Sequence, residues 1–167
     1  MSERLNNIEL KTVEETKNKI QNGSLPMEKH IEGEFRLNGS PMFVAELKSD
    51  YSNFIVAADE PKILGGQGVH TTPLSYLLFG VMACYASTLA IQCALDKVKL
   101  NTLKLKGHLF YDLAPVLTES NSPIIKKLIL EIEADKDIRE QINKANEKCP
   151  ALYAIKKPIE VQTHQIL

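Results

Sequence analysis

The sequence contains no tryptophan, only three cysteines and no long run of residues of one charge. Three cysteines in 167 residues are too few for a disulfide scaffold. Because 20 basic residues nearly balance 21 acidic ones, the composition does not support binding to a nucleic-acid backbone or an anionic membrane surface. The first residues carry charges of both signs and no apolar stretch, which predicts no secretory signal. We therefore expect a cytoplasmic protein with reduced cysteines, with no nucleic acid and no membrane among its partners.

The remaining composition is that of a globular chain. Hydrophobic residues make up 44% and charged residues 25%, which excludes a disordered or fibrous protein. At this length we expect one domain with a substantial core.

One uncharged segment, residues 74–95, is long enough to span a bilayer. A helix that is apolar on all sides is either a membrane span or the buried centre of a soluble fold. Polar side chains within the segment, such as Thr88 and Gln92, and the lack of a Lys/Arg cluster at either end favour the buried helix. Membrane anchoring through this segment stays open as an alternative.

A polar helix is predicted near the N-terminus, over residues 8–22, with Thr12 and Glu15 as a capping box. We expect this helix to lie at the periphery of the protein, because few of its residues are apolar. The sequence therefore predicts an N-terminal helical extension over residues 1–29 and one domain over residues 30–167.

Strand patterns occur on both sides of the uncharged segment. Apolar and polar residues alternate in short runs that predict β-strands at 31–37, 42–47, 54–58, 103–111, 128–134 and 159–163. Asn38-Gly39 predicts a two-residue turn in an antiparallel meander of the first three strands. An amphipathic helix is predicted over 136–148, and Cys149-Pro150 ends it and begins another short helix. This order of elements is typical of an α+β fold.

A glycine-rich loop precedes the uncharged helix. Its glycines, between Gly65 and Gly68, match no nucleotide-binding motif, so we interpret the loop as a tight connection that needs positive φ. Thr71 or Thr72 can cap the following helix, and Pro73 suits its first turn. The four histidines lie at no metal-ligand spacing from one another or from a cysteine, so we expect no metal site.

The cysteines include one candidate redox pair. Cys84 and Cys93 lie on opposite faces of the uncharged helix and cannot pair with each other, and we interpret Cys93 as a core residue. Cys149 continues the apolar face of helix 136–148, so its side chain is expected to point inward, where it can meet Cys84. Its position before Pro150 predicts a thiol pKa lowered by the dipole of the next helix. Spacing alone leaves two interpretations open: a peroxidatic and resolving pair, or two inert buried cysteines.

Two motifs in the chain occur together. Gly65-Gly66 is followed by Thr72-Pro73 and, eleven residues after the proline, by Cys84 within the apolar helix. Cys149-Pro150 then follows the amphipathic helix. In this arrangement the sequence resembles the OsmC/Ohr family, named for osmotically inducible protein and organic hydroperoxide resistance, over about residues 30–165.

The resemblance implies a particular architecture. OsmC-like proteins have an α+β fold in which antiparallel sheets pack around a long buried central helix. They are intertwined homodimers, and the central helices of both chains are buried against two sheets. Such burial would account for an uncharged helix in a soluble protein.

The resemblance also implies a thiol-dependent peroxidase activity. The cysteine at Cys84 attacks a small apolar organic hydroperoxide as a thiolate, and the one at Cys149 resolves the product to a disulfide. A dithiol reductant of the lipoyl type then restores both thiols, and no metal, haem or flavin cofactor is implied. An arginine from the early strand-turn region stabilises the thiolate, and Arg36 is the candidate for that role.

One position departs from the family pattern. Peroxidase members carry Glu directly after the proline, where it pairs with the arginine, but this chain has Leu74 there, and Glu60 is only a neighbour in sequence. Without that pair, a buried Cys84 keeps a raised pKa and reacts slowly. The alternative function is therefore a small-molecule binding or sulfur-handling protein of the same fold, without peroxidase turnover.

Overall fold

The computed structural model describes residues 4–23 and 27–166. Its elements are, in chain order, β1 (Arg4–Leu5), β2 (Ile8–Glu9), α1 (Leu10–Gln21), β3 (Glu32–Phe35), β4 (Phe43–Lys48), β5 (Asn53–Ala58), α2 (Pro73–Leu95), β6 (Leu103–Tyr111), α3 (Ala114–Leu117), β7 (Ile125–Ala134), α4 (Arg139–Lys148) and α5 (Pro150–Lys156). The mixture of helices with small antiparallel sheets confirms the α+β class.

The chain divides into two units, which are described separately. The meander unit is Lys19–Phe79, and the core unit combines the residues up to Asn18 with those from Gly80 onward. The predicted boundary between residues 1–29 and 30–167 stays a prediction.

The meander unit contains the predicted antiparallel sheet in the order β3-β4-β5. The prediction of a two-residue turn at Asn38-Gly39 is wrong, because the last pair of β3 and β4 is Phe35 with Phe43. The connection is longer, and the N–H of Arg36 closes it by donating to the carbonyl of Met42 at 2.7 Å. Pro41 lies within it and has no N–H to give to a strand ladder, which explains why the strands stop earlier.

The glycine-rich loop follows β5 and a 3₁₀ turn at Lys62–Leu64. Gly65 and Gly68 have φ values of 82° and 67°, which confirms the predicted need for positive φ. A Cβ at Gly66 would lie 1.9 Å from the carbonyl oxygen of Glu60, so only glycine fits there.

Asp59 is the buried anchor of this loop, with 1% of its surface exposed. Its Oδ2 accepts hydrogen bonds from the N–H of Val69 at 3.2 Å and from the hydroxyl of Ser40 at 3.3 Å. Burial alone would raise the pKa of Asp59, but hydrogen bonds from the N–H groups of Val69 and Gln67 hold it below its ordinary value. The loop is thus fixed by a carboxylate that stays ionised.

Helix α2 begins and ends close to the predicted positions. Thr72 caps it, since its hydroxyl oxygen accepts the N–H of Ser75 at 3.3 Å, and Pro73 is the first helical residue. By length and composition α2 is the kind of helix that can cross a membrane. In the single chain its buried residues all lie from Val81 onward, and Phe79 is 68% exposed. The expected burial on all sides is therefore not present within one chain.

The core unit is built on the antiparallel hairpin of β6 and β7, with α4, α5 and the part of α2 from Val81 onward contributing to one core. The buried residues of this hydrophobic core are Val81, Tyr85, Leu89, Cys93, Ile138, Ala145, Cys149 and Leu152. Cys93 has no exposed surface, which confirms its interpretation as a core residue. The core therefore contains one of the two candidate redox cysteines, Cys149, and packs against the other, Cys84.

Two predictions for the ends of the chain are wrong. The described residues from 157 to 166 contain no strand, although alternation predicted one at 159–163, because no neighbouring strand of this chain pairs with them. At the other end, α1 starts at Leu10 directly after the hairpin of β1 and β2, so Thr12 lies inside the helix and is not its cap.

Side-chain hydrogen bonds hold the core unit together around these elements. Asn6 donates to the carbonyl of Val98 and accepts the N–H of Leu100, both at 2.8 Å, and so fixes the N-terminal hairpin to the connection after α2. Asp96, just after α2, accepts hydrogen bonds from Gln141 and Lys144 of α4, both at 2.8 Å. These contacts set the position of α4 relative to the end of α2.

Candidate active site

Cys84 lies on α2 beside the stripe that faces the core. Val81, Tyr85 and Leu89 recur at four-residue spacing and are buried, because residues i and i+4 share one face of a helix. Cys84 precedes Tyr85 and lies at the edge of this stripe, so its side chain is packed against the core but partly exposed. This position combines contact with the core and access to solvent.

Cys149 occupies the corner between α4 and α5. Its N–H donates to the carbonyl of Ala145 at 3.0 Å, which completes α4, and its carbonyl accepts the N–H of Tyr153 at 2.9 Å, which begins α5. Pro150 suits the first position of α5. The side chain points inward, and 1% of the residue is exposed.

The corner brings the two cysteines into contact. The Sγ atoms of Cys84 and Cys149 are 3.7 Å apart, and both residues are free thiols. A disulfide has a sulfur separation of about 2.05 Å, so an approach of about 1.7 Å would close the bond. This geometry agrees with the sequence prediction that the Cys149 side chain points inward and can meet Cys84.

The surroundings of Cys84 disfavour its thiolate. Burial is the largest effect and raises the pKa of Cys84 above its usual 9.0, whereas a hydrogen bond from the N–H of Ala151 lowers it. Cys149 raises the pKa further, because two neighbouring thiols resist carrying a charge on both sulfurs. The net effect keeps Cys84 predominantly a thiol near neutral pH.

Tyr85 is a polar residue of this site that the sequence reasoning missed. It is 1% exposed, and its hydroxyl donates to Oδ1 of Asn146 at 3.0 Å and to the carbonyl of Ile142 at 3.5 Å. Burial, followed by the nearby charge of ionised Cys149, raises the pKa of the Tyr85 hydroxyl. The available signal was a tyrosine next to Cys84 on a core-facing helix, since a buried tyrosine hydroxyl needs a hydrogen-bond partner.

Arg36 lies in the meander unit, directly after β3, and its side chain is exposed. Within residues 4–23 and 27–166 its guanidinium forms no salt bridge. Leu74, at the position of the family glutamate, is a partly buried residue in the first turn of α2. The predicted role of Arg36 at the thiolate stays a prediction.

A cavity of about 400 Å³ lies in the core unit between β7, α4 and α5. Its lining is mainly apolar and consists of Tyr85, Leu128, Leu130, Ile132, Ile142, Asn146, Leu152, Ile155 and Lys156. In the part of the chain that the structure describes, no cluster of three or more His, Cys, Asp or Glu residues is arranged to hold a metal.

Comparisons with known proteins place the chain in a family. The sequence profile of a family described as OsmC-like protein matches residues 65–164. No curated protein matches the chain.

Solved structures similar to the chain include the following three. The first is the organic hydroperoxide resistance protein OsmC from Legionella pneumophila, at 17% identity and a TM-score of 0.58 over 78% of this chain and 92% of that one. The second is an OsmC-like protein from Mycoplasma pneumoniae, at 19% identity and a TM-score of 0.58 over 79% and 89%. The third is the organic hydroperoxide resistance protein OhrB of Bacillus subtilis, at 17% identity and a TM-score of 0.51 over 78% and 91%. At these identities the likeness shows a shared fold.

Proposed function

This chain belongs to the OsmC-like protein family, and on that premise we propose that it reduces small apolar organic hydroperoxides with Cys84 as nucleophile and Cys149 as resolving thiol. The observation that carries the proposal is the 3.7 Å contact between two free Sγ atoms. Cys84 is the more accessible of the two, which supports its assignment as the residue that meets the peroxide.

The proposed reaction has two oxidative steps. The Cys84 thiolate attacks the terminal oxygen of the hydroperoxide, the O–O bond breaks, and the leaving alkoxide takes a proton to become an alcohol. Cys84 is then a sulfenic acid. The Cys149 thiolate attacks its sulfur, the S–O bond breaks, and the departing hydroxide takes a proton to become water while the disulfide forms.

A dithiol completes the cycle by exchange with the disulfide. One thiolate of the dithiol forms a mixed disulfide, and its second thiol displaces the protein cysteine, so two electrons return to Cys84 and Cys149. A lipoyl-type dithiol fits this role because its oxidised form is a cyclic disulfide. All electrons in this cycle pass through sulfur, so the proposal needs no metal, haem or flavin.

Stabilisation of the Cys84 thiolate is the demanding part of the proposal. Hydrogen bonding by the N–H of Ala151 lowers the pKa of Cys84 and so favours its thiolate. We propose Arg36 as a second source of positive charge, on the resemblance alone. Because Leu74 offers no carboxylate to hold that arginine, we expect a slower reaction with peroxide than in members that have the Arg–Glu pair.

The proposal includes an intertwined homodimer in the cytoplasm. The first half of α2 exposes Tyr76, Leu77 and Phe79, and burial of these apolar side chains against a second chain would make α2 the central helix of the dimer. Sedimentation of the purified protein as a dimer, recovered without detergent, supports this assembly. Recovery only in detergent supports membrane insertion of α2 instead.

The activity is tested by single-turnover oxidation with cumene hydroperoxide. Wild type should release one cumyl alcohol per chain and lose two thiols, while Cys84→Ser should release none. Cys149→Ser should release the alcohol but stop at the sulfenic acid. Cys93→Ser is the matched control, because Cys93 is a buried cysteine of the same helix on the face opposite Cys84, and it should behave as wild type. Alcohol release by Cys84→Ser at the wild-type rate would contradict the proposal.

A second candidate function is supported by the raised pKa of Cys84 together with Leu74. Both disfavour a reactive thiolate, and an OsmC-like scaffold that binds a small apolar ligand or handles sulfur needs none. In that case wild type gives no peroxide turnover, and Cys84→Ser leaves ligand binding unchanged.

A further inference from the structure

We propose that Tyr85 is a positioning residue that, through Asn146, holds Cys149 within reach of Cys84. The proposal rests on the proposed function, since it concerns the step in which Cys149 resolves the oxidised Cys84. Tyr85 forms no bond to substrate and transfers no proton in this step; it acts on the placement of a neighbouring element.

Tyr85 connects α2 to α4. The Tyr85 hydroxyl reaches Oδ1 of Asn146 at 3.0 Å and the carbonyl of Ile142 at 3.5 Å. Both partners lie on α4, and Asn146 precedes Cys149 by three residues. Tyr85 follows Cys84 directly in sequence. Its hydroxyl therefore links the helix that carries Cys84 to the helix that ends at Cys149.

Lys156 connects α5 to α4. Lys156 of α5 donates to the carbonyl of Asn146 at 3.2 Å. Asn146 is therefore held by its side chain to α2 and by its carbonyl to α5. The corner at Cys149 lies between these two attachments, and the N–H of Cys149 is itself bound to the carbonyl of Ala145.

A cavity lies next to the corner between α4 and α5. The cavity of about 400 Å³ is lined on one side by Leu152 and Ile155 of α5. Side chains that face a cavity lack packing partners on that side, so packing holds α5 less firmly there, although Cys149 itself is buried in the core. The hydrogen bonds of Tyr85 and Lys156 add a constraint to the corner.

The consequence concerns the fate of the Cys84 sulfenic acid. It either condenses with Cys149 to the disulfide and water, or reacts with a second hydroperoxide to give sulfinic acid and another alcohol. When the corner holds the Cys149 sulfur 3.7 Å from the Cys84 sulfur, disulfide formation is favoured. When the corner is more mobile, the two sulfurs are in contact less often, and oxidation to sulfinic acid is favoured.

The test is Tyr85→Phe, which removes the hydroxyl and keeps the ring. Rapid quenching after addition of cumene hydroperoxide, with dimedone capture and mass spectrometry, gives separate rates for Cys84 oxidation and for disulfide formation. We expect Cys84 oxidation at the wild-type rate and disulfide formation slower by about fivefold, the effect of one buried hydrogen bond. Sulfinic acid at Cys84 should then accumulate at lower peroxide concentrations than in wild type.

Three further variants make the result specific. Tyr153→Phe is the matched control, because Tyr153 lies on α5, is 58% exposed, and its hydroxyl forms no hydrogen bond to a described residue. Asn146→Ala removes the same contact from the other side, and its effect should not add to that of Tyr85→Phe. Asn146→Asp keeps an oxygen acceptor and should restore disulfide formation toward the wild-type rate, which general destabilisation does not explain.

The outcomes separate this inference from the function on which it rests. If wild type forms the disulfide but Tyr85→Phe and Asn146→Ala form it equally fast, the positioning role is wrong and the peroxidase proposal stands. If Cys84 of wild type is not oxidised under conditions that oxidise a reference thiol peroxidase, both are wrong.

Discussion

Oxidation of Cys84 and Cys149 to a disulfide should stabilise the folded chain substantially. The bridge would connect residues 65 positions apart in sequence. For a loop of that length, the lost entropy of the unfolded chain corresponds to about 4 kcal/mol at 25 °C. In a protein of this size, that gain raises the melting temperature by about 8–16 °C. Strain from bringing the sulfurs together from 3.7 Å subtracts from this value.

The assay is guanidinium unfolding of the reduced and the peroxide-oxidised protein at one protein concentration, followed by circular dichroism. Cys93→Ser should show the same increase in midpoint as wild type, whereas Cys84→Ser treated in the same way should show none. A Cys84–Cys149 disulfide verified by mass spectrometry, with an unchanged or lower midpoint, would refute the reasoning. It would mean that the native placement of the two residues does not suit a disulfide.

Three further predictions follow from the same structure. Since burial raises the pKa of Cys84 above 9.0, the rate of its alkylation by iodoacetamide should continue to increase above that pH. A rate-versus-pH curve whose midpoint lies below the ordinary cysteine pKa contradicts this. Asn6→Ala removes two hydrogen bonds of 2.8 Å and should lower the free energy of unfolding by about 1–3 kcal/mol. Asn7→Ala, at an exposed neighbour that also has a positive φ, has the same backbone cost but loses neither bond, so it should cost less by the same denaturant assay. Hydrogen bonds from Lys144 and Gln141 lower the pKa of Asp96 below 3.8, so its contribution to stability is present above that pH and is lost as pH falls through the folded-state pKa. Asp96→Asn should therefore cost about 1 kcal/mol at neutral pH and flatten the acid limb of a stability-versus-pH curve, and an unchanged acid limb contradicts the assignment.

The elements that were predictable carry their signals locally. Thr72-Pro73 marks the start of α2, and Cys149-Pro150 marks the break between α4 and α5, because capping and the missing N–H of proline act within a few residues. The alternation over residues 103–111 likewise coincides with β6. In each case the physical cause lies inside the segment.

The elements that were not predictable depend on partners elsewhere. Alternation at 159–163 indicates a strand, but a strand needs a neighbour to complete its hydrogen bonds, and no strand among the described residues pairs with this segment. The hairpin of β1 and β2 contains only two residues in each strand, too few for a periodicity, and Asn6 fixes it to residues far along the chain.

The candidate site shows the same division. Cys84 and Cys149 were recognisable because their motifs lie in the sequence, and the direction of Cys149 followed from the periodicity of α4. The contact of Tyr85 with Asn146 was not recognisable, since it joins residues 61 positions apart through the packing of two helices. The sequence pattern thus indicates which cysteines form the candidate pair, whereas the packing of the helices shows which contacts keep the two cysteines close to each other.

The most direct test of the central claim is a free-thiol count on the pure, reduced protein before and after one equivalent of cumene hydroperoxide, followed by dihydrolipoamide. The account predicts that two of the three thiols disappear, that peptide mass spectrometry finds Cys84 linked to Cys149, and that the dithiol restores all three. An unchanged thiol count, under conditions that oxidise a reference thiol peroxidase, would contradict the account and favour a binding or sulfur-handling role for this OsmC-like scaffold.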